Sequence, residues 1–265
     1  MSKKRIGLAL SGGGARGISH LGVLQALDEA KIKIHEMSGT SAGAIIGALY
    51  CSGHKPEEIL KLLISTSFFR ILRPSLTISG LLSMDKIGEH LKKYITEDRF
   101  ESLDRPFTAA AIDVGSGKIE YFNEGPLIKP VLASSCIPVI FKPVEIGNNR
   151  YIDGGVLANL PVKPLRKRCD IIIGSNCNVV DDKFKGANMK VLLERAMLLA
   201  TIGNVRRSKR YCDVVIEPDE LKKIGGFEIN RAGEMFEAGY RTAQIEIRNN
   251  WNVGKAKTNT TEKMK

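Results

Sequence analysis

Histidine is scarce in this 265-residue chain, and none of its four copies (His20, His35, His54 and His90) lies beyond position 90. A late histidine, the usual third member of a Ser–Asp–His hydrolase triad, is therefore missing. Cysteine is sparse too. Positions 51, 136, 169, 177 and 212 make an odd set without a CxxC pair, so neither a disulfide framework nor a zinc site is expected, and all five read as reduced structural thiols. Long hydrophobic runs are absent: the best candidate, Ala42 to Cys51, has about half of the roughly 18 apolar residues that mark a membrane-spanning helix. The apolar stretch after Lys3-Lys4-Arg5 stops at Ser11, short of the roughly 7 to 15 residues of a signal-peptide core. A cytoplasmic protein is expected.

Acidic residues are also in deficit, 29 against 40 basic ones, for a formal net charge of +11. The excess gathers at 166–168, at 206–210 and in the stretch 254–265. Each cluster alone reads as solvated surface, and such clusters attract anionic surfaces. Peripheral contact with an anionic membrane, at its inner face, is the expected use, and no nucleic-acid partner is expected. The segment 254–265 carries almost no apolar residues and reads as a disordered tail.

What remains is ordinary globular material, 43% hydrophobic and 26% charged, enough to bury one core. A single domain over 1–253 is expected. Residues 5–10 read as a strand, 17–30 as a helix, 33–38 as a strand and 42–51 as a helix, a βαβα opening that implies a parallel sheet. Pro56 opens a further helix to about Ser65. The stretch 67–83 mixes Phe68, Phe69, Ile71 and Leu72 with Arg70, Arg73 and Pro74 and fits a lid, a membrane-facing segment or an irregular connection. Strands are expected at 107–114 and 118–123 around a glycine turn, and at 139–146 and 150–152 around another. A strand at 170–176, a helix at 189–207, a short strand at 214–217 and a helix at 231–248 follow.

Three motifs carry chemistry. Gly39-Thr40-Ser41-Ala42-Gly43 fits GxSxG at a predicted strand-to-helix junction, where a strained turn projects the serine hydroxyl and glycines on both sides avoid collisions. Ser41 is the candidate nucleophile. With no late histidine, a carboxylate acting directly on the serine is the economical base, and Asp153, at a strand end before Gly154 and Gly155, is the best placed. An aspartate near pKa 3.9 needs burial to become a useful base. Gly12-Gly13-Gly14-Ala15-Arg16-Gly17 can turn several N–H groups toward an oxyanion. Gly12, Gly14 and Gly17 also satisfy GxGxxG, with Glu36 nineteen residues beyond Gly17, which keeps a dinucleotide-dependent oxidoreductase open. A non-catalytic lipid-binding or scaffolding protein on the same fold stays open as well.

GGGARG, GTSAGA and DGG, in this order, resemble the motifs of the patatin-like phospholipase family, and the block Ala133-Ser134-Ser135-Cys136-Ile137-Pro138 is similar to its small-residue stretch before the aspartate. Cys136 stands where the family often carries alanine. The resemblance spans about residues 5–165, and the chain is similar to the compact bacterial members. It implies a three-layer α/β/α sandwich with a mainly parallel sheet, no metal or cofactor, and lipid ester substrates such as phospholipids and lysophospholipids. It also implies roles: Ser41 as nucleophile and Asp153 as general base, Gly12, Gly13, Gly14 and Arg16 as oxyanion-hole loop, and Gly39, Gly43, Gly154 and Gly155 as support for elbow and turn.

Overall fold

A computed structural model describes residues 4–65, 83–181 and 189–251. Strand β1 (Ile6–Leu10), a 3-10 turn (Gly14–Ile18) and helix α1 (Ser19–Glu29) lead into β2 (Glu36–Gly39) and α2 (Ala42–Cys51). Helices α3 (Pro56–Ile64) and α4 (Asp85–Leu91) precede a hairpin of β3 (Phe107–Asp113) and β4 (Lys118–Phe122). Then come α5 (Ile128–Ser134), β5 (Val144–Ile146), β6 (Asn149–Asp153), α6 (Gly155–Ala158), β7 (Ile171–Ser175), α7 (Met189–Lys209), β8 (Val214–Ile216) and α8 (Ala232–Trp251). The segment 67–82 and the tail 254–265 lie outside the described residues.

Among the described residues the strands form one mixed sheet in the order β5-β6-β3-β2-β1-β7-β8, with β4 on β3. The pairs β3–β2, β2–β1, β1–β7 and β7–β8 are parallel. Alternation along β1 builds two cores, because successive side chains leave a strand on opposite faces. Leu8 and Leu10 join Met37, Phe107 and the apolar sides of α1, α2 and α8. Ala9 points the other way, toward Leu160, Leu165, Ile172 and Val205 of α7. The result is a three-layer α/β/α sandwich.

β3 sets the geometry of the site. β4 pairs with it from Ala109 to Asp113, which leaves its other edge to two partners in succession. β2 follows that edge along Phe107–Ala109 and ends at Gly39, while β6 runs the opposite way along Asp113–Ala111 and ends at Asp153. The C-terminal ends of β2 and β6 therefore face each other across a one-residue gap at Ala110.

Three expectations need correction. The strand expected at 139–146 is confined to Val144–Ile146; the N–H groups of Ile140 and Phe141 turn back to the Ile137 carbonyl, and Pro138 and Pro143 interrupt any ladder. The strand expected at 33–38 runs instead over Glu36–Gly39, so Glu36 opens it. The first helix is split, with a 3-10 turn before Ser19. No helix among the described residues is long and apolar enough to cross a membrane.

Candidate active site

Ser41 occupies the turn between β2 and α2 with φ 54° and ψ −124°, a backbone state that L-residues rarely adopt and that costs on the order of 1–3 kcal/mol. The turn is too tight for a side chain on either flank. A methyl on Gly39 would lie 2.3 Å from the Gly43 carbonyl oxygen, and one on Gly43 would lie 2.5 Å from that of Leu10. Ser134 braces the turn from across the gap in the sheet: its hydroxyl donates to the Ala110 carbonyl at 2.6 Å and accepts the Ser41 N–H at 3.0 Å. Ser135 donates to the Ser41 carbonyl at 3.1 Å, and Thr40 donates to that of Ala158 at 2.7 Å.

Asp153 lies at the end of β6, buried to much the same degree as Ser41, with 8% and 7% exposure. Its Oδ1 accepts the Gly155 N–H at 2.8 Å, and its own N–H donates to the Cys136 carbonyl. The Ser41 side chain stands close enough to the same carboxyl to lower its pKa. Burial pushes this carboxyl up to about 6, while Ser41 and the Gly155 N–H pull it back. Gly154 packs on the Ala110 carbonyl, where a methyl would sit 2.3 Å away.

The glycine loop leaves β1 and covers this pair. Gly12 is committed: its N–H donates to the Asn159 carbonyl at 3.1 Å, and its carbonyl accepts Asn178 Nδ2 at 2.8 Å. The N–H groups of Gly13 and Gly14 make no hydrogen bond among the described residues. Arg16 anchors the loop from outside, Nε donating to the Ile224 carbonyl at 2.5 Å. Together these residues border a cavity of about 370 Å³, whose apolar walls come from Ile137, Val139, Val156, Leu193, Met197 and Phe227.

No histidine contributes to the pair. His20 is fully buried, with Nδ1 at 2.7 Å from Ser175 Oγ and Nε2 at 2.9 Å from the Ser11 carbonyl. Since a carbonyl only accepts, Nε2 carries the proton and Nδ1 accepts from Ser175. Desolvation holds the ring neutral, its pKa lowered to about 4. His35 accepts the Ile6 N–H, and His54 faces the Tyr94 carbonyl. Glu36, the acid demanded by a dinucleotide reading, lies at the opposite end of β2 from the glycine loop and is paired with Arg168 at 3.1 Å and Arg5 at 3.9 Å. Among the described residues, no group of three His, Cys, Asp or Glu side chains could hold a metal ion.

Three contributors escape the motif reading. Asn159 is buried against the glycine loop, and its Nδ2 has no partner among the described residues; an unpaired buried amide costs about 1–3 kcal/mol. Asn204 reaches in from α7, accepting the Asn159 N–H at 2.9 Å and donating to the carbonyls of Gly155 and Val156. Asn178 holds Gly12. An asparagine inside the apolar run 156–162 was the readable signal for the first; the other two lie in unmarked sequence.

A family model described as patatin-like phospholipase matches residues 8–166. An uncharacterized NTE family protein of Mycobacterium tuberculosis is 37% identical over 166 residues, 62% of this chain and 46% of its own length. Lysophospholipase NTE1 of Candida glabrata is 30% identical over 190 residues, 69% of this chain and 11% of its own. The chain thus spans about half the length of the mycobacterial relatives. Among solved structures, VipD from Legionella pneumophila matches with a TM-score of 0.63 at 15% identity, covering 93% of this chain and 67% of that one. The type III effector protein ExoU matches with 0.51 at 16% identity, covering 93% and 53%. Likeness at these identities is likeness of fold.

Proposed function

The chain belongs to the patatin-like phospholipase family, and we propose that it is a serine lipid acyl hydrolase cleaving carboxylic esters of phospholipids or lysophospholipids through Ser41 and Asp153. The observation that carries this reading is that Ser41 and a buried, raised carboxyl, Asp153, line the same apolar-walled cavity. A lysophospholipase among the relatives fits the same substrate class.

Asp153 takes the Ser41 proton as Oγ attacks the ester carbonyl carbon. The Gly13 and Gly14 N–H groups donate to the oxyanion, and the positive end of α2 adds to the field there. Gly12 and Arg16 hold the loop in shape, Gly12 through its bond to Asn159 and Arg16 through Ile224. Collapse of the intermediate breaks the ester C–O bond, and the leaving alcohol receives the proton from Asp153. In the second half Asp153 takes a proton from water, the hydroxide attacks the acyl carbonyl, and Ser41 leaves with that proton, releasing the fatty acid. A carboxyl near 6 is ionised at neutral pH and stronger as a base than an ordinary aspartate, which is what the first step requires.

The test is hydrolysis of a chromogenic acyl ester by wild type, Ser41→Ala and Asp153→Asn. Both variants are expected to lose at least about three orders of magnitude in kcat; full activity in either overturns its assignment. The dinucleotide alternative loses its support with Glu36 committed to Arg5 and Arg168. A non-catalytic binding protein predicts no turnover in wild type, so the same assay decides against one of the two.

A further inference from the structure

α7 carries apolar residues on its exposed side as well as on its buried side. On its inner side Thr201 and Asn204 are buried, and Asn204 is bonded to the backbone of residues 155, 156 and 159 beside Asp153. On its outer side Met189, Leu192, Leu193, Ala196, Leu199 and Ala200 are exposed. Their spacing of three and four places them in one stripe along the helix. Met189 is 80% exposed, and Leu192 and Leu199 are near one half. Because Leu198 and Val205 face the core on the other side, the helix is apolar on both sides, the pattern of a helix enclosed on both sides. Within the described chain only one side is covered.

The stripe meets the mouth of the active-site cavity. Leu193, Ala196 and Ala200 belong to the cavity lining as well, as do Val139, Val156 and Phe227, which are themselves exposed. Val139 stands out at 75% exposure with φ 73°, strained for a β-branched residue. At the C-terminal end of the same helix the exposed side chains change to Arg206 and Arg207. Apolar residues along a helix with arginines at its margin match the two layers of a lipid surface, acyl chains below and phosphates above.

We propose that this face seats on an anionic phospholipid bilayer. The α7 stripe and Val139 enter the acyl boundary, Arg206 and Arg207 lie among the headgroup phosphates, and the cavity mouth opens onto the membrane. This inference rests on the lipid hydrolase reading and adds the route: a substrate chain slides from the bilayer along Leu193 and Val139 to Ser41 without crossing water.

Flotation of the full chain with phosphatidylcholine vesicles, with and without phosphatidylglycerol, tests it. Wild type is expected to float with the anionic vesicles and to lose binding as salt rises. Leu192→Asp/Leu199→Asp is expected to reduce the bound fraction at least about tenfold, and Arg206→Glu/Arg207→Glu to abolish the preference for anionic lipid. Leu192 and Leu199 do not line the cavity, so hydrolysis of a short-chain soluble ester by the leucine variant should stay at the wild-type rate, which also shows that it folds. Equal flotation of wild type and leucine variant overturns the proposal, as does wild type that stays with the soluble fraction. A wild-type dimer that the leucine variant dissolves assigns the face to a second copy instead. Absence of short-chain ester hydrolysis in wild type overturns the hydrolase reading and leaves flotation to decide the docking face.

Discussion

Burial pushes the Asp153 carboxyl up to about 6, and this value ties function to stability at a single residue. In the free enzyme the base is lost on protonation, so kcat/KM should fall tenfold per pH unit below about 6. A His20→Gln variant should keep that limb, because both ring nitrogens of His20 are engaged by Ser11 and Ser175 and neither faces Ser41; a limb that moves with His20 contradicts the dyad. The stability effect has the opposite sense. Between about 4 and 6 the native state binds the Asp153 proton more tightly than the unfolded chain does, so stability drops as pH rises through that window and the cost is complete above it. Asp153→Asn should therefore stabilise the protein at pH 7 to 8, by on the order of 2 kcal/mol, while it removes activity. Thermal melts of the two proteins at that pH check it. The sequence marks Ser41 and Asp153 because glycines and the missing late histidine leave few alternatives. It does not mark Ser134 or the commitment of the Gly12 N–H, since hydrogen-bond partners 93 and more residues away carry no local signal.

Between elements, the site is a consequence of one edge of β3 being shared by β2 and β6. Ser134, at the end of α5, closes the gap by joining Ala110 to Ser41. Ser134→Ala should lower kcat by about tenfold to a hundredfold with little change in KM, since it loosens the turn without touching the acyl-chain walls; an unchanged kcat removes it from the site. Asn204 fixes α7 to the turn after Asp153 by three hydrogen bonds. Asn204→Ala should cost about 2–4 kcal/mol, seen as a lower urea midpoint, because buried partners are left unpaired. Hydrophobic period reads α1, α2, α3, α7 and α8 and the strands of the parallel core from the sequence. It misreads 139–143, where Val139 lines the cavity and Ile140 and Phe141 pack on the core between two prolines, without a continuous strand. It passes over α4, α5 and α6, which are too short for a period to develop.

For the whole molecule, the three-layer sandwich follows from the alternation of strands and helices, and the family match spans residues 8–166, the part that carries every proposed catalytic group. The remainder adds β7, β8, α7 and α8. Of these, β7 supplies Ser175 to hold His20 and α7 supplies one wall of the cavity. Two buried groups pull acid sensitivity in opposite directions. His20, lowered from 6.5 to about 4, binds its proton better in the unfolded chain, so stability falls as pH drops through that interval. Asp153 offsets this between about 4 and 6. In Asp153→Asn the His20 effect is no longer offset by Asp153, and the loss of stability from pH 6.5 to 4 should be steeper than in wild type; parallel profiles contradict that assignment.

The central claim is that Ser41 is a nucleophile activated by a buried carboxylate. A fluorophosphonate probe followed by peptide mass spectrometry tests it most directly. At pH 8 the wild-type chain should carry one adduct, on the peptide containing Ser41, and Asp153→Asn should label at least about a hundredfold more slowly. An unlabelled Ser41, or labelling at equal rates in the two proteins, contradicts the account.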